Sequence, residues 1–138
     1  MAYWLFKSEP NTYSWQNLVD AGGGEEWDGV RNHLAKKQME AMALGDLGFF
    51  YHSVNEKRVM GVCEVVATAH PDSTDETGKW LCVDVRAVGP FPTPVTLSEI
   101  KAEPRLSEMM LVKNARLSVQ PVTNAEWKLV CKMGGFKN

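Results

Sequence analysis

The chain has 138 residues, 44% apolar and 23% charged, the balance of one soluble globular domain. Its 15 basic residues against 17 acidic ones give a formal charge of -2, which excludes a strongly basic nucleic-acid coat and leaves a local basic patch at most. No apolar run reaches the roughly 18 residues of a membrane span, and the start, Met1 to Pro10, has neither the basic opening nor the apolar length of a signal peptide.

The first element in chain order is a strand over Ala2 to Lys7, stopped by Ser8-Glu9-Pro10. Ser14 is placed to cap a short helix over Trp15 to Asp20. Gly22-Gly23-Gly24 ends that helix and gives a flexible lead into Trp27. Asn32 is a candidate N-cap for a helix over His33 to Ala43, with Ala35, Met39, Met42 and Ala43 on one buried face. Leu47 to Ser53 and Arg58 to Thr68 read as strands joined by Asn55-Glu56-Lys57. The second is apolar on both faces apart from Glu64, as a central strand is.

His70 to Asp75 reads as a polar loop and Lys79 to Val88 as a further strand. Three prolines in Gly89 to Pro94 argue against regular structure there. Capping boxes at Thr96/Glu99 and Thr123/Glu126 open two helices, the second presenting Trp127, Val130 and Cys131 on one face and stopping at Gly134-Gly135. Arg105 to Val112 reads as a buried irregular segment or short helix. Arg116 to Val122 reads as a strand at an edge or terminal position, because of Pro121. Five or six strands with four short helices, joined mostly by hairpins, predict an α+β domain spanning 1–138: a mixed, mainly antiparallel sheet curled into a barrel.

Cys63, Cys82 and Cys131 form no C-x-x-C pair and read as buried reduced thiols, consistent with a cytoplasmic protein; the absence of a basic import run leans the same way. His33, His52, His70 and the cysteines show no ligand spacing, so neither metal nor cofactor is expected.

Chemistry concentrates in Trp27-Asp28-Gly29-Val30-Arg31-Asn32. A Trp on a loop beside an acid, an Arg and an amide suits one wall of a pocket that stacks a flat ligand and hydrogen-bonds its edge. The structural alternative for Asp28 is an Asx-turn or a pair with Arg31, and for Asn32 it is helix capping. Arg31, Lys36 and Lys37 sit near a helix start, with no acid among residues 31 to 37. They read either as a solvated face or as a phosphate-attracting cluster.

The chain resembles the EVE domain family of the PUA-like superfamily, and so the thymocyte nuclear protein group. The resemblance rests on Tyr3 to Pro10, Trp27 to Asn32, Phe49 to Ser53, Pro94 to Lys101 and Arg116 to Val122, which run in family order. That family looks like a relative of the YTH domain, which holds methylated adenine in an aromatic cage. The resemblance implies a pocket for a modified base on the rim of a small barrel. Lys36-Lys37-Gln38 departs from the more Arg-rich run of many relatives.

The resemblance makes Lys7, Ser8 and Glu9 pocket-lining candidates, with Tyr51, His52 and Ser53 closing a strand towards the same rim. It adds Val30 and Ser118, and makes Trp80 a candidate second wall. Trp80 as core and His52 as a satisfied structural histidine are the plainer readings. The expected function is a non-catalytic reader of a modified base in DNA or RNA, away from membranes. A metabolite-binding or regulatory module using the same pocket is the main alternative. A nucleotide-directed enzyme built on Glu9, Asp28 and His52 is weaker, because the adjacent His52 and Ser53 point to opposite faces of a strand.

Overall fold

The computed structural model describes residues 1–114 and 116–137. Its strands are β1 (Tyr3–Ser8), β2 (Glu25–Glu26), β3 (Leu47–His52), β4 (Arg58–Pro71), β5 (Leu81–Thr96) and β6 (Val119–Val122). Its helices are α1 (Trp15–Ala21), α2 (His33–Glu40), α3 (Leu97–Ala102), α4 (Met110–Lys113) and α5 (Asn124–Gly134), with one 3-10 turn over Pro104–Leu106. The strands form one sheet in the order β2-β5-β4-β3-β1-β6. The β1–β3 pair is parallel and the other pairs are antiparallel.

This α+β architecture agrees with the sequence, but the curl to a barrel does not occur. β2 and β6 remain unjoined edges of an open sheet, and helices on both faces bury what closure would otherwise hide.

Alternation along the strands feeds two cores. Trp4, Phe6, Phe50, Cys63, Val65, Val83 and Val85 face one side, where Trp15 and Leu18 of α1, Ala35 and Met39 of α2, and Trp27 cover them. Leu5, Phe49, Tyr51, Val59, Val62, Phe91 and Val95 face the other, under Ile100 of α3, Leu111 of α4 and Trp127, Val130 and Cys131 of α5.

The expected side-chain caps on α1, α2, α3 and α5 are present. Ser14, Asn32, Thr96 and Thr123 each accept a backbone N–H three residues on, and three of the four close reciprocal capping boxes. α2 is shorter than the sequence pattern suggests: it ends at Glu40, so Met42 is buried from a turn and Ala43 is exposed.

β4 and β5 are longer than expected. The ladder continues through His70↔Cys82 to Pro71↔Leu81, so the polar loop begins only at Asp72. β5 also runs through Gly89 to Pro94. Its register passes from Gly61↔Pro90 to Val59↔Val95, leaving residues 91–94 bulged opposite Met60. Bulged residues need no ladder N–H, which is why Pro92 and Pro94 fit. β6 takes only the last four residues of the expected 116–122 strand and pairs with β1 at the sheet edge, where Pro121 is tolerated.

Candidate functional site

The two-residue strand β2 was not legible beforehand, and it positions the site. Glu25 and Glu26 pair with Val85 and Asp84 of β5, and the Trp27 N–H extends the ladder to the Val83 carbonyl at 2.8 Å. The glycine run therefore ends in a fixed strand rather than a free lead. Beyond it Gly29 has φ +77, a left-handed turn that a Cβ would strain. Its N–H donates to Asp72 Oδ2 at 2.8 Å.

Asp72 is the pin of this loop. It is 2% exposed, accepts from Arg31 Nη1 at 3.0 Å, and accepts from the backbone N–H and hydroxyl of Thr74 through Oδ1. Burial raises its carboxyl, but the hydrogen bonds from Thr74, Gly29 and Arg31 outweigh that and hold it down to about 2.

The loop, the end of β1 and the turn after it enclose a cleft of about 600 Å3, within the size range of small-molecule and base-sized sites. The structure brings Lys7, Ser8, Glu9, Trp27, Asp28, Val30, Arg31 and Ser118 together along its walls. The Lys7 N–H donates to the Ser118 carbonyl at 2.9 Å, and the Ser8 hydroxyl donates to the Tyr13 carbonyl.

Trp27 is 8% exposed. It meets Phe6, Phe50 and Tyr13 edge-on at centroid distances of 5.2, 5.5 and 6.3 Å. It is a core ring with one margin on the cleft, not a freely standing stacking wall.

Asn32, Tyr51, His52, Ser53 and Trp80 do not line the cleft. Asn32 Oδ1 accepts from the Ala35 N–H at 2.9 Å, the plain cap. Tyr51 is buried in the opposite core, where loss of solvent pushes its hydroxyl up to about 12. His52 Nε2 accepts from the Trp15 N–H at 3.0 Å, so Nδ1 carries the proton towards Glu56 Oε1 at 2.8 Å. Both ring nitrogens are thus spent on structure. The Ser53 N–H ties β3 to the Ser8 carbonyl at 2.9 Å. Trp80 packs on His33 at 4.9 Å and beneath the Arg31 guanidinium at 5.9 Å, outside the cleft wall. Lys36 and Lys37 lie on α2 away from the cleft lining.

Four lining residues escaped sequence reasoning: Thr12, Tyr13, Glu25 and Glu26. Tyr13 lies in a turn that looked merely polar. Its hydroxyl is buried, with Glu25 as its polar neighbour. Burial first, then the charge and acceptor of Glu25 and the charge of Asp28, push it up to about 12, so it stays a donor. Burial first, then the charges of Asp72, Glu26 and Glu25, raise Asp28, against the pull of Arg31. Burial lowers Lys7. The cleft therefore brings together the carboxylates of Glu9, Glu25, Glu26 and Asp28 and the cationic groups of Lys7 and Arg31 beside the margin of Trp27.

The described residues contain no helix long and apolar enough to cross a membrane. A model of the EVE domain family matches residues 2–133. Thymocyte nuclear protein 1 of Homo sapiens is 31% identical over 96% of this chain and 73% of its own length. A crystal structure of an Agrobacterium tumefaciens protein superposes with TM-score 0.96 at 53% identity, covering 100% of this chain and 96% of that one. Human THYN1 protein in complex with 5-methylcytosine containing DNA superposes with TM-score 0.90 at 31% identity, covering both chains in full. The YTH domain of Zygosaccharomyces rouxii MRB1, in complex with N6-methyladenosine RNA, shares the fold at TM-score 0.60 and 19% identity, over 96% of this chain and 86% of that one. With a family model spanning all but its ends, and relatives aligned along nearly its whole length, this α+β PUA-like chain belongs to the EVE domain family.

Proposed function

We propose that the cleft reads a modified nucleobase in DNA or RNA, without turning it over. The observation that carries this reading is the composition of the cleft. An aromatic floor at Trp27 lies among acceptors and donors on a rim of base-sized volume, in a fold shared with a protein in complex with 5-methylcytosine containing DNA. Carboxylates suit the exocyclic amino groups of cytosine and adenine, which are donors on the edge a flipped base presents. Asp28 and Glu25 line the cleft where that edge would lie. The base leaves its stack at a cost of a few kcal/mol, least where pairing is already weakened.

Arg31 holds the loop through Asp72 and keeps a second face towards solvent for a flanking phosphate. Lys36 and Lys37 extend that positive edge along α2. Few cations take part, so affinity falls with salt on a shallow slope, about -2 to -3 in log–log terms for two or three phosphates.

Fluorescence anisotropy with oligonucleotides that differ only in one methylated cytosine or adenine tests the reading. The wild type is expected to prefer a modified strand. Asp28→Asn and Glu25→Gln, both outside the buried core, are expected to weaken that preference roughly tenfold. Equal binding to modified and unmodified strands by the wild type overturns the reading. Turnover of a bound nucleotide replaces it with an enzyme acting on the same base.

A further inference from the structure

At the edge of the cleft, β4, β5 and β2 gather a second cluster that shares Glu26 with the cleft lining but not the Asp28 and Glu25 edge on which base reading rests. The β4–β5 register sets His70 opposite Cys82, and β2 sets Glu26 opposite Asp84 on β5. Cys82 Sγ lies 3.7 Å from Glu26 Oε1 and 3.9 Å from His70 Nε2. One ligand atom from each of Glu26, His70 and Cys82 falls within 4.8 Å of the others. With zinc–sulfur bonds of about 2.3 Å and zinc–nitrogen or zinc–oxygen bonds of about 2.0–2.2 Å, neighbouring tetrahedral donors stand roughly 3.4–3.7 Å apart. Two of the three spacings here already lie close to that.

The orientation of His70 also suits a cation. His70 Nδ1 lies 3.1 Å from the Pro71 carbonyl. Donation there turns Nε2 towards Cys82, the orientation that outer-shell carbonyls impose on metal-binding histidines. Asp72, the neighbouring acid, is paired with Arg31, whereas Asp84 Oδ1 faces His70 and Glu26 Oε1 accepts from the N–H and hydroxyl of Ser73 as well as facing Cys82.

We propose that Glu26, His70 and Cys82 form a binding site for a borderline-soft divalent cation of the zinc type, with Asp84 as the fourth donor. Asp84 Oδ1 lies 2.7 Å from His70 Nε2, so the ion replaces a proton shared between them. The thiol proton and the Nε2 proton leave to solvent, and no oxidation is involved. The ion would tie β2, which leads straight into Trp27, to the β4–β5 ladder and stiffen one wall of the cleft. The mixed sulfur, nitrogen and oxygen set favours zinc or cobalt over magnesium or calcium.

Cobalt(II) alone, titrated into the full chain under reducing conditions, tests the site. A thiolate-to-cobalt charge-transfer band with tetrahedral ligand-field bands is expected at one equivalent. Both are lost in Cys82→Ser, weakened in His70→Gln and displaced by zinc. Zinc at a hundredfold excess over its Kd is expected to raise the Tm of the wild type by about 10 °C and that of His70→Gln by far less. A wild type without the charge-transfer band, or a band that persists in Cys82→Ser, overturns the site. Should Cys82→Ser fail to fold, the half-exposed His70→Gln and Glu26→Gln decide: unchanged cobalt spectra and an unchanged zinc response in both overturn it.

Discussion

Trp27 and Trp127 are buried on opposite faces of the sheet, and the two rings are held differently. Trp127 is fully buried on α5 and lies flat between Tyr3 and Phe49, at 4.4 and 4.0 Å with interplanar angles of 10° and 14°. Trp27 comes from a loop and meets Phe6, Phe50 and Tyr13 at 66°, 87° and 90°. A ring covered on both faces and anchored by a capped helix has no surface left to offer. A ring met edge-on, on a loop pinned by one buried carboxylate, keeps a margin open to a cleft. The same residue type is thus sealed on one face and presented on the other, and the difference lies in its carrier element rather than its chemistry.

The largest effect is expected from Trp127→Ala, at about 3–5 kcal/mol of stability. Denaturant unfolding measures it, and any base preference surviving in the folded fraction is expected to be unchanged. A selective loss of modified-strand binding in folded Trp127→Ala would break the contrast between the faces. Trp27→Ala is expected to cost somewhat less, about 2–4 kcal/mol, because a loop relaxes more than a helix. It should also abolish discrimination between modified and unmodified strands at temperatures where it remains folded.

Asp72→Asn separates loop from core. Losing a buried acceptor of charged and backbone donors is expected to cost about 2–3 kcal/mol. It also changes the pH profile. Asp72 is depressed in the folded state, from its ordinary 3.8 to about 2. Its contribution is therefore complete above pH 3.8 and is lost as pH falls from there towards 2. Acid unfolding of the wild type should be steeper in that window than that of Asp72→Asn, and parallel curves would argue that the carboxylate does not hold the loop.

Asn32→Ala is expected to remove only a cap, about 1 kcal/mol, and to leave base preference intact. The smallest effect belongs to Lys36→Ala and Lys37→Ala. They should weaken binding to all strands alike and reduce the salt slope by about one each, measured by anisotropy across a salt series. A change in base preference from either would move those lysines into the cleft's recognition role.

Local chemistry was legible wherever it acts over a few residues. Ser14, Asn32, Thr96 and Thr123 announce helix starts because their side chains bond backbone groups only three residues on. The cleft's lining was partly legible through Trp27 to Arg31 and Lys7 to Glu9. Tyr13 and Glu25 in the lining, and Asp72 that pins the loop, were not, because nothing near them in the chain shows what they meet. The same limit left Trp80 and His52 open between a rim role and the plainer core or structural one. Their partners, His33 and Trp15, are chosen by packing.

The sequence by itself determined the apolar alternation, the helix caps, the kinship with EVE domains and the short stretch from Trp27 to Arg31 that lines the cleft. Only the tertiary structure decided that the sheet stays open, that Asp72 pins a loop 43 residues earlier at Gly29, and that Glu26, His70 and Cys82 converge. Caps and alternation follow from bonding within one turn or one strand. Convergence follows from strand register, set by the bulges and ladder of β4 and β5, which no spacing along the chain encodes.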